Sequence, residues 1–395
     1  MKWYPFAEVV SDVTSKFRKI KASEYQPAGQ FKIIDQGKDA IAGYTSDKTL
    51  INDEQLPIII FGDHTRILKY EENPIALGAD GAKALKVDPE IANTLYVYYY
   101  LKSIKLKEAG YSRHFKFLKE TKVPIPTKDG RPSLDDQIRI AHLLGTVEGL
   151  IAQRKQRLQQ LDDLLKSVFL GMFGPQSIGY LNWPLVEIKD LAAKHKGAMR
   201  TGPFGSHLLH SEFATKGDVA VLGIDNAVQN RFAWSERRYI THEKYRELES
   251  YRIFPGDVII TIMGTLGRSA VIPKDIPLTI NTKHLAAITL NTAVANPLFV
   301  SYSIHSSPFI LNQFRSKNRG AIMSGLNLGL IKETKLKRPP IEWQNKFAAI
   351  HEKIDSVKSR YKHSLTELEI LYGALSQQAF MGELDLSRVV LPESM

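Results

Sequence analysis

The sequence predicts an α+β protein: two mixed, mostly β domains separated by two long antiparallel helices that form a coiled coil, the halves related by internal pseudo-twofold symmetry. Three observations carry this prediction. Gln137 to Phe173 lies on Gln344 to Phe380 without a gap, so the chain repeats itself. Both stretches place apolar residues at alternating steps of three and four, the seam of a coiled coil. The segments before them hold strand-like runs punctuated by glycine turns, such as Ile58 to Phe61 and Asp257 to Met263.

The first seam reads Ile140, Leu143, Val147, Leu150, Arg154, Arg157, Leu161, Leu164 and Val168. The second reads Phe347, Ile350, Ile354, Val357, Tyr361, Ser364, Leu368, Leu371 and Leu375. Both turn polar or amphipathic at the same central point. Antiparallel pairing brings the two centres together and sets Arg154 over the ring of Tyr361, a contact worth roughly 0.5 to 2 kcal/mol, while the polar layer penalises slipped registers. A helix of about 40 residues extends roughly 60 Å, the length of a spacer rather than of a core element. Val147, Leu150, Arg154 and Leu161, with Ile354, Val357, Tyr361 and Leu368, are the expected coiled-coil and partner-facing set.

The flanks repeat as well. Lys119-Glu120-Thr121-Lys122 returns as Lys332-Glu333-Thr334-Lys335, and each leads into prolines, Pro124 and Pro126 or Pro339 and Pro340, which stiffen an extended approach to the helix. Further back, Asn93-Thr94-Leu95-Tyr96-Val97 matches Asn296-Pro297-Leu298-Phe299-Val300, and Tyr4-Pro5-Phe6-Ala7-Glu8 matches Trp183-Pro184-Leu185-Val186-Glu187. The expected division is a first domain at 1–122, a linker and long helix at 123–175, a second domain at 176–337, and a second linker and helix at 338–395. Between the landmarks the halves diverge, as two readers of different targets should.

Composition narrows the function. At 395 residues the chain suits two domains plus connecting elements. Its 53 Lys and Arg against 42 Asp and Glu give a net charge of +11, which attracts polyanions and puts nucleic acid first among partners. The absence of cysteine excludes disulfides, thiol nucleophiles and Cys-based zinc sites. Glu8 and Asp12 follow the N-terminus closely, leaving no signal-peptide core, and no apolar run reaches membrane-spanning length, so the expected location is cytoplasmic with no membrane contact.

Candidate contact residues gather in glycine-bounded loops. Arg200-Thr201-Gly202-Pro203-Phe204-Gly205-Ser206-His207 is a turn whose amides can approach a phosphate, or a tight turn with Phe204 plugging the core; glycine serves either. Gly264 and Gly267 precede Arg268, and Asn281, Lys283 and His284 lie on the next extended segment; Asn, Lys and Arg are the side chains that bond adenine and guanine edges. In the first half Gly62-Asp63-His64-Thr65-Arg66 follows an apolar strand, and Gly78-Ala79-Asp80-Gly81-Ala82-Lys83 follows the next. Asp63, His64 and Asp80 also admit a metal-site reading, which lacks a third ligand at characteristic spacing. Lys102, Lys105, Lys107, Arg113, His114 and Lys116, then Arg315, Lys317 and Arg319, gather before the two helices as phosphate-binding flanks or solvated charge. Tyr96, Tyr98, Tyr99 and Tyr100 stack on bases or pack on a helix face.

Enzyme signatures are incomplete. Glu120-Thr121-Lys122 and its repeat have the Glu-x-Lys spacing of metal-dependent nucleases but no fitting Asp upstream. Asn296-Pro297-Leu298-Phe299 lacks the second proline of an adenine-methyltransferase motif, and there is no P-loop. A solo DNA-modifying enzyme and a helical scaffold that does not touch DNA are the alternatives to a DNA-binding module.

Taken in order, several features resemble one family, the specificity subunits of type I restriction-modification enzymes. They are Thr201-Gly202-Pro203-Phe204-Gly205-Ser206, Pro255-Gly256-Asp257-Val258 leading to Gly264 and Gly267, Phe61 to Arg66 with Gly78-Ala79-Asp80-Gly81, and the doubled proline-then-helix blocks ending at Phe173 and Phe380. The resemblance spans essentially the whole chain. It implies two target recognition domains, each reading one part of a bipartite, asymmetric site on double-stranded DNA, with the paired helices setting the gap. It also implies docking of methyltransferase subunits, two of them, and of restriction/translocase subunits. S-adenosylmethionine, ATP and Mg then belong to those partners, and this chain carries no cofactor, metal or catalytic residue. One departure is the first linker, Thr127 to Asp136, which is longer than its counterpart at Ile341 to Trp343.

Overall fold

The computed structural model describes residues 1–79, 81–107, 113–264, 267–317 and 325–392, with Lys317 described by its backbone alone. The chain divides into two compact units, Met1–Gln156 with Tyr361–Met395, and Arg157–Arg360. Each unit therefore contains one globular head, part of the long helix Leu134–Phe173 and part of the long helix Ile341–Met381.

In the first head a four-stranded antiparallel sheet runs Val10–Asp12, Ala82–Val87, Ile58–Gly62, Leu68–Glu71. A three-stranded sheet runs Gly43–Thr45, Phe31–Ile34, Ile75–Leu77, its last pair parallel. The second head repeats this plan. Its four strands are Met199–Thr201, Leu285–Ile288, Val258–Thr261 and Ser269–Val271, and its three are Arg238–Ile240, Val219–Leu222 and Thr279–Asn281, again with the last pair parallel. The central strands Ile58–Gly62 and Val258–Thr261 are buried along their whole length, which explains continuous β-branched runs instead of alternation.

The matching flanks noted in the sequence pair with each other inside each unit. Lys2–Pro5 lies antiparallel to Lys122–Ile125, and Leu185–Glu187 to Lys335–Lys337. Next to each ladder the same bond recurs, Phe6 N to Thr121 O at 3.0 Å and Ile188 N to Thr334 O at 2.9 Å. The first linker's extra length folds into a small hairpin, Thr127–Lys128 against Arg131–Pro132, before Ser133 caps the helix by accepting from Asp136 N.

A buried glutamine joins each long helix to its head. Gln137 and Gln344 are fully buried. Gln137 Oε1 accepts from Asn93 N at 2.8 Å and its Nε2 donates to Ile91 O; Gln344 Oε1 accepts from Asn296 N at 2.8 Å and its Nε2 donates to Val294 O. Asn93 and Asn296 then cap the head helices Thr94–Ser103 and Pro297–Ser306 with their side chains. In a site closed to water each such amide must be satisfied in full, so the bond set fixes the angle at which the helix leaves the head.

The helices pair antiparallel in both units. In the first, Ile140, Ala141 and Leu144 share a core with Ala379 and Phe380. In the second, Leu165, Phe169 and Phe173 share one with Phe347 and Ile354. Arg154 lies 5.1 Å above the Tyr361 ring, as equal stepping predicts, and its Nε donates to Ser364 Oγ at 3.2 Å. Lys358 pairs with Asp162 in the second unit.

On the first long helix the phase of the seam differs from the expected one, whereas on the second every expected position but Leu371 is at least half-buried. Leu150 and Leu164 are 39% and 49% exposed, and Leu371 is 45% exposed; Leu144, Leu165 and the half-buried Ile151 and Tyr372 face inward instead. The buried series is Ile140, Leu144, Val147, Ile151, Arg154, Leu158, Leu161, Leu165, stepping by four and then three. Leu143/Leu144, Leu150/Ile151 and Leu164/Leu165 are adjacent apolar pairs, so hydrophobicity alone permits either order. Val147, Arg154, Leu161, Ile354, Val357, Tyr361 and Leu368 are common to both series and are at least half-buried. Tyr96, Tyr99 and Tyr100 are buried packing residues, Tyr100 donating to Lys122 O at 2.6 Å, and Tyr98 packs against Tyr99, so these rings belong to the head's interior.

Candidate nucleic-acid interface

Each head brings two loops together at one end of its four-stranded sheet. In the first head these are 62–67 and the segment through Gly78 and Gly81, stitched by Asp63 N donating to Gly81 O at 2.7 Å. In the second head the equivalent bond is Ile262 N to His284 O at 3.0 Å, joining the approach to Gly264 with the 282–284 segment.

His64 and Thr65 stand exposed on the first head's loop. Gln36 anchors them, accepting from His64 N through Oε1 at 3.2 Å and from Thr65 Oγ1 through its carbonyl at 2.7 Å. Arg66 follows with φ of 63°, the left-handed region, which turns the chain sharply. Arg113 and Lys116 are exposed nearby. Lys83 is ion-paired with Asp12 at 3.0 Å and lies 5.1 Å over the Phe115 ring.

Two first-head candidates are corrected. Asp63 and His114 are 4% and 3% exposed, Asp63 Oδ1 accepts from Phe115 N at 2.8 Å, and His114 Nδ1 lies 3.0 Å from Asp63 O. They hold the loop's shape from beneath instead of facing a groove.

Three second-head candidates are likewise internal. Arg200 is 7% exposed; it pairs with Asp257 and donates to Arg252 O at 2.7 Å, Gly197 O at 3.1 Å and Thr289 Oγ1 at 3.0 Å. Four of its five N–H donors are thus engaged inside the head, and its burial keeps it from a phosphate. Asn281 is fully buried and donates to Leu285 O at 3.0 Å. At Gly202 a Cβ would lie 2.2 Å from Asn281 O and 2.3 Å from Thr282 C, so glycine is required there by the crossing of two backbones. Thr201 is half-buried at the strand end. Arg319 lies outside the described residues, as does the Lys317 side chain.

Beyond Gly202 the turn opens outward. Ser206 and His207 are exposed, and Phe204 is 58% exposed, so it does not plug the core. Arg268 and Lys283 are exposed and His284 is half-buried. A cleft of about 700 Å³ lies between the turn and this segment, lined by Leu208, Phe213, Ile224, Thr282, Lys283 and His284 among others. Burial and the neighbouring Lys283 push the His284 pKa down, so its ring is neutral near pH 7. Thr282 Oγ1, His284 Nδ1 and Asp225 Oδ2 are buried atoms without a hydrogen-bond partner. Gln36 and the Arg238–Asp225 pair were not singled out in the sequence. Among the described residues no group of three or more His, Asp or Glu side chains could hold a metal.

Residues 180–369 match the family model described as the type I restriction modification DNA specificity domain. Over 95% of this chain and 84% of its own length, the Escherichia coli type I restriction enzyme EcoBI specificity subunit is 21% identical. Residues 180–369 thus carry the DNA specificity domain, and along nearly its whole length the chain resembles type I restriction-modification specificity subunits. A crystal structure of the type I restriction-modification S subunit from M. genitalium superposes with a TM-score of 0.61 at 15% identity, covering 96% of each chain. A structure concerned with complex assembly and conformational transition of the type I R-M system superposes at 0.54, with 14% identity, covering 97% of this chain and 98% of that one. The relatives are named as specificity or S subunits, and neither name supports the nuclease or methyltransferase reading of the Glu-x-Lys and Asn-Pro segments. Among the described residues no helix is long and apolar enough to cross a membrane.

The second unit also holds a polar cavity of about 470 Å³, lined by Asp162, Tyr302, His305, His351, Asp355 and Lys358 among others. Burial, then the charges of Arg268 and His351, push His305 down to about 3, and its Nδ1 faces Ser269 Oγ at 3.0 Å. His351 is lowered too, chiefly by burial. Folded pKa values below the unfolded one mean that the unfolded chain binds more protons under about pH 6.5. Stability is therefore full above that pH and falls as pH drops through it toward about 3. Because His305 borders a cavity, the expected loss by pH 4 is about 2 kcal/mol. Melting curves from pH 7 to 4 measure it, and His305→Gln is expected to flatten them.

Proposed function

We propose that this chain is a specificity subunit that recognises a bipartite, asymmetric site on double-stranded DNA, one part per head, and recruits methyltransferase and restriction/translocase subunits to it. The observation that carries the reading is the duplicated loop frame with unlike tips. The same sheet order and the same inter-loop bond occur in both heads, yet one presents His64, Thr65 and Arg66 and the other Lys283 and His284. Equal frames supply equal docking geometry, and unlike side chains supply unlike base preference.

The net charge of +11 favours duplex DNA as the partner, with Arg113, Lys116, His207 and Arg268 exposed beside the loops to neutralise phosphates. Leu150, Leu164, Ile370 and Leu371 are apolar and outward on the long helices, which suits the docking of two methyltransferase subunits. In this account the helices set the gap between the two parts of the site, S-adenosylmethionine, ATP and Mg act in the partners, and the assembly works in the cytoplasm.

Titrating duplex DNA with the assembled subunit and its methyltransferase at several salt concentrations tests the reading. Contacts to about 6 to 10 phosphates predict a loss of roughly 10³ to 10⁵ in affinity between about 50 and 200 mM salt. A flat salt response with no preference among sequences would instead support a scaffold that does not touch DNA.

A further inference from the structure

The two heads share a frame but differ in the side chains that their described loop residues expose. In the first head the second loop is bounded by Gly78 and Gly81. A Cβ on Gly78 would lie 2.4 Å from Tyr25 Oη, and one on Gly81 would lie 2.5 Å from the Gln36 amide. That loop is pressed onto its own domain at both ends, and the exposed His64 and Thr65 are on its neighbour. In the second head the 282–284 segment holds the equivalent position, beside a loop that exposes Met263 and Arg268. Gly267 is pressed against the Phe314 ring, where a Cβ would lie 3.0 Å away, while the 282–284 segment carries a hydroxyl, an ammonium and an imidazole into the cleft of about 700 Å³.

Buried polar atoms normally have partners, and each exception needs an explanation. Thr282 Oγ1 and His284 Nδ1 are two such exceptions, on either side of the exposed Lys283. A neutral imidazole offers one donor and one acceptor, and a hydroxyl offers both. Lysine's point charge suits the paired acceptors O6 and N7 on the major-groove edge of guanine. The strand end is fixed underneath by Asn281 Nδ2 bonding Leu285 O at 3.0 Å and by the Gly202 crossing, so the exposed Lys283 projects from a rigid base.

Resting on the reading of the chain as a DNA-binding specificity subunit, we propose that Lys283 is a base-reading residue of the second head and selects a guanine in its part of the site.

The test uses the full subunit assembled with its methyltransferase, and the readout is the recognised sequence, obtained by binding selection from a randomised duplex library. The second head's part of the wild-type site is expected to contain a guanine. Lys283→Gln should cut discrimination at that one position by about 5- to 150-fold, the range of a good side-chain contact to a base, and leave the first head's part unchanged. Lys216→Gln, exposed elsewhere on the same head, should alter neither part. Lys283 is exposed, so its variant is expected to melt with the wild type. Uniform weakening across all sequences with a shallower salt slope would make Lys283 a phosphate contact and overturn the proposal. A wild-type assembly that selects no sequence at all would overturn the functional reading beneath it, a result distinguishable because it precedes any substitution.

Discussion

Asp257→Ala is expected to destabilise the second unit by about 3 to 5 kcal/mol, because removing one partner of a buried ion pair strands the other charge. Asp257 is 1% exposed and holds Arg200, Thr289 Oγ1 at 2.6 Å and Phe254 N at 2.9 Å. The substitution therefore leaves a guanidinium, a hydroxyl and an amide short of an acceptor in one place. Urea titration with the slope held constant measures the loss. Joint replacement, Arg200→Met with Asp257→Leu, should recover much of it, since an apolar pair of similar volume carries no desolvation cost; the hydroxyl and the amide still lose their acceptor, so recovery is partial. The same double variant tests the reassignment of Arg200: once folded, it should bind DNA with an unchanged salt slope.

Phe347→Ala is the second large effect, also about 3 to 5 kcal/mol. Phe347 is fully buried, with its ring centroid 5.3 Å from Phe169, 5.7 Å from Phe173 and 5.1 Å from Tyr302. Phe169 and Phe173 come from the other long helix and Tyr302 from the head, so losing the ring opens a cavity where three elements meet. Large neighbours that are themselves packed cannot collapse into it, which places the cost high in the usual range. Leu150→Ala is the internal control. In the expected seam it would cost as much as a core leucine, whereas on the outward face it should stay within about 0.5 kcal/mol. Hydrogen exchange resolved by segment would show the Phe347 loss in residues 157–360.

The repeat was legible because it is written in residues with structural duties. Gln137 and Gln344 tie helix to head, and Phe173 and Phe380 end the helices in cores. Arg154 above Tyr361 followed from equal stepping alone. The phase of the first helix's seam was not legible, since Leu150 and Ile151 are equally apolar and only the packed partner chooses between them. Duplication of the seven main strands in each head was hidden too, because sheet order is a pattern of pairings between distant segments while the local sequence had diverged.

In the candidate interface, the exposed loop residues were readable from glycine turns at strand ends. Asp63, His114, Arg200 and Asn281 were not, for a common reason. A polar side chain advertises hydrogen-bonding capacity without saying who uses it, and the partner of Arg200 lies 57 positions away. Phe204 shows the converse. One of the two readings of its turn had the ring plugging the core, while the backbone crossing at Gly202 leaves it exposed.

Exchanging residues 176–337 for the matching segment of a relative with a different target, then mapping the methylated sequence by methylome sequencing, probes independent reading by the two heads most directly. One part of the recognised sequence should change while the other part and the gap between them persist. A change in both parts, or methylation that ignores the exchange, would contradict the account.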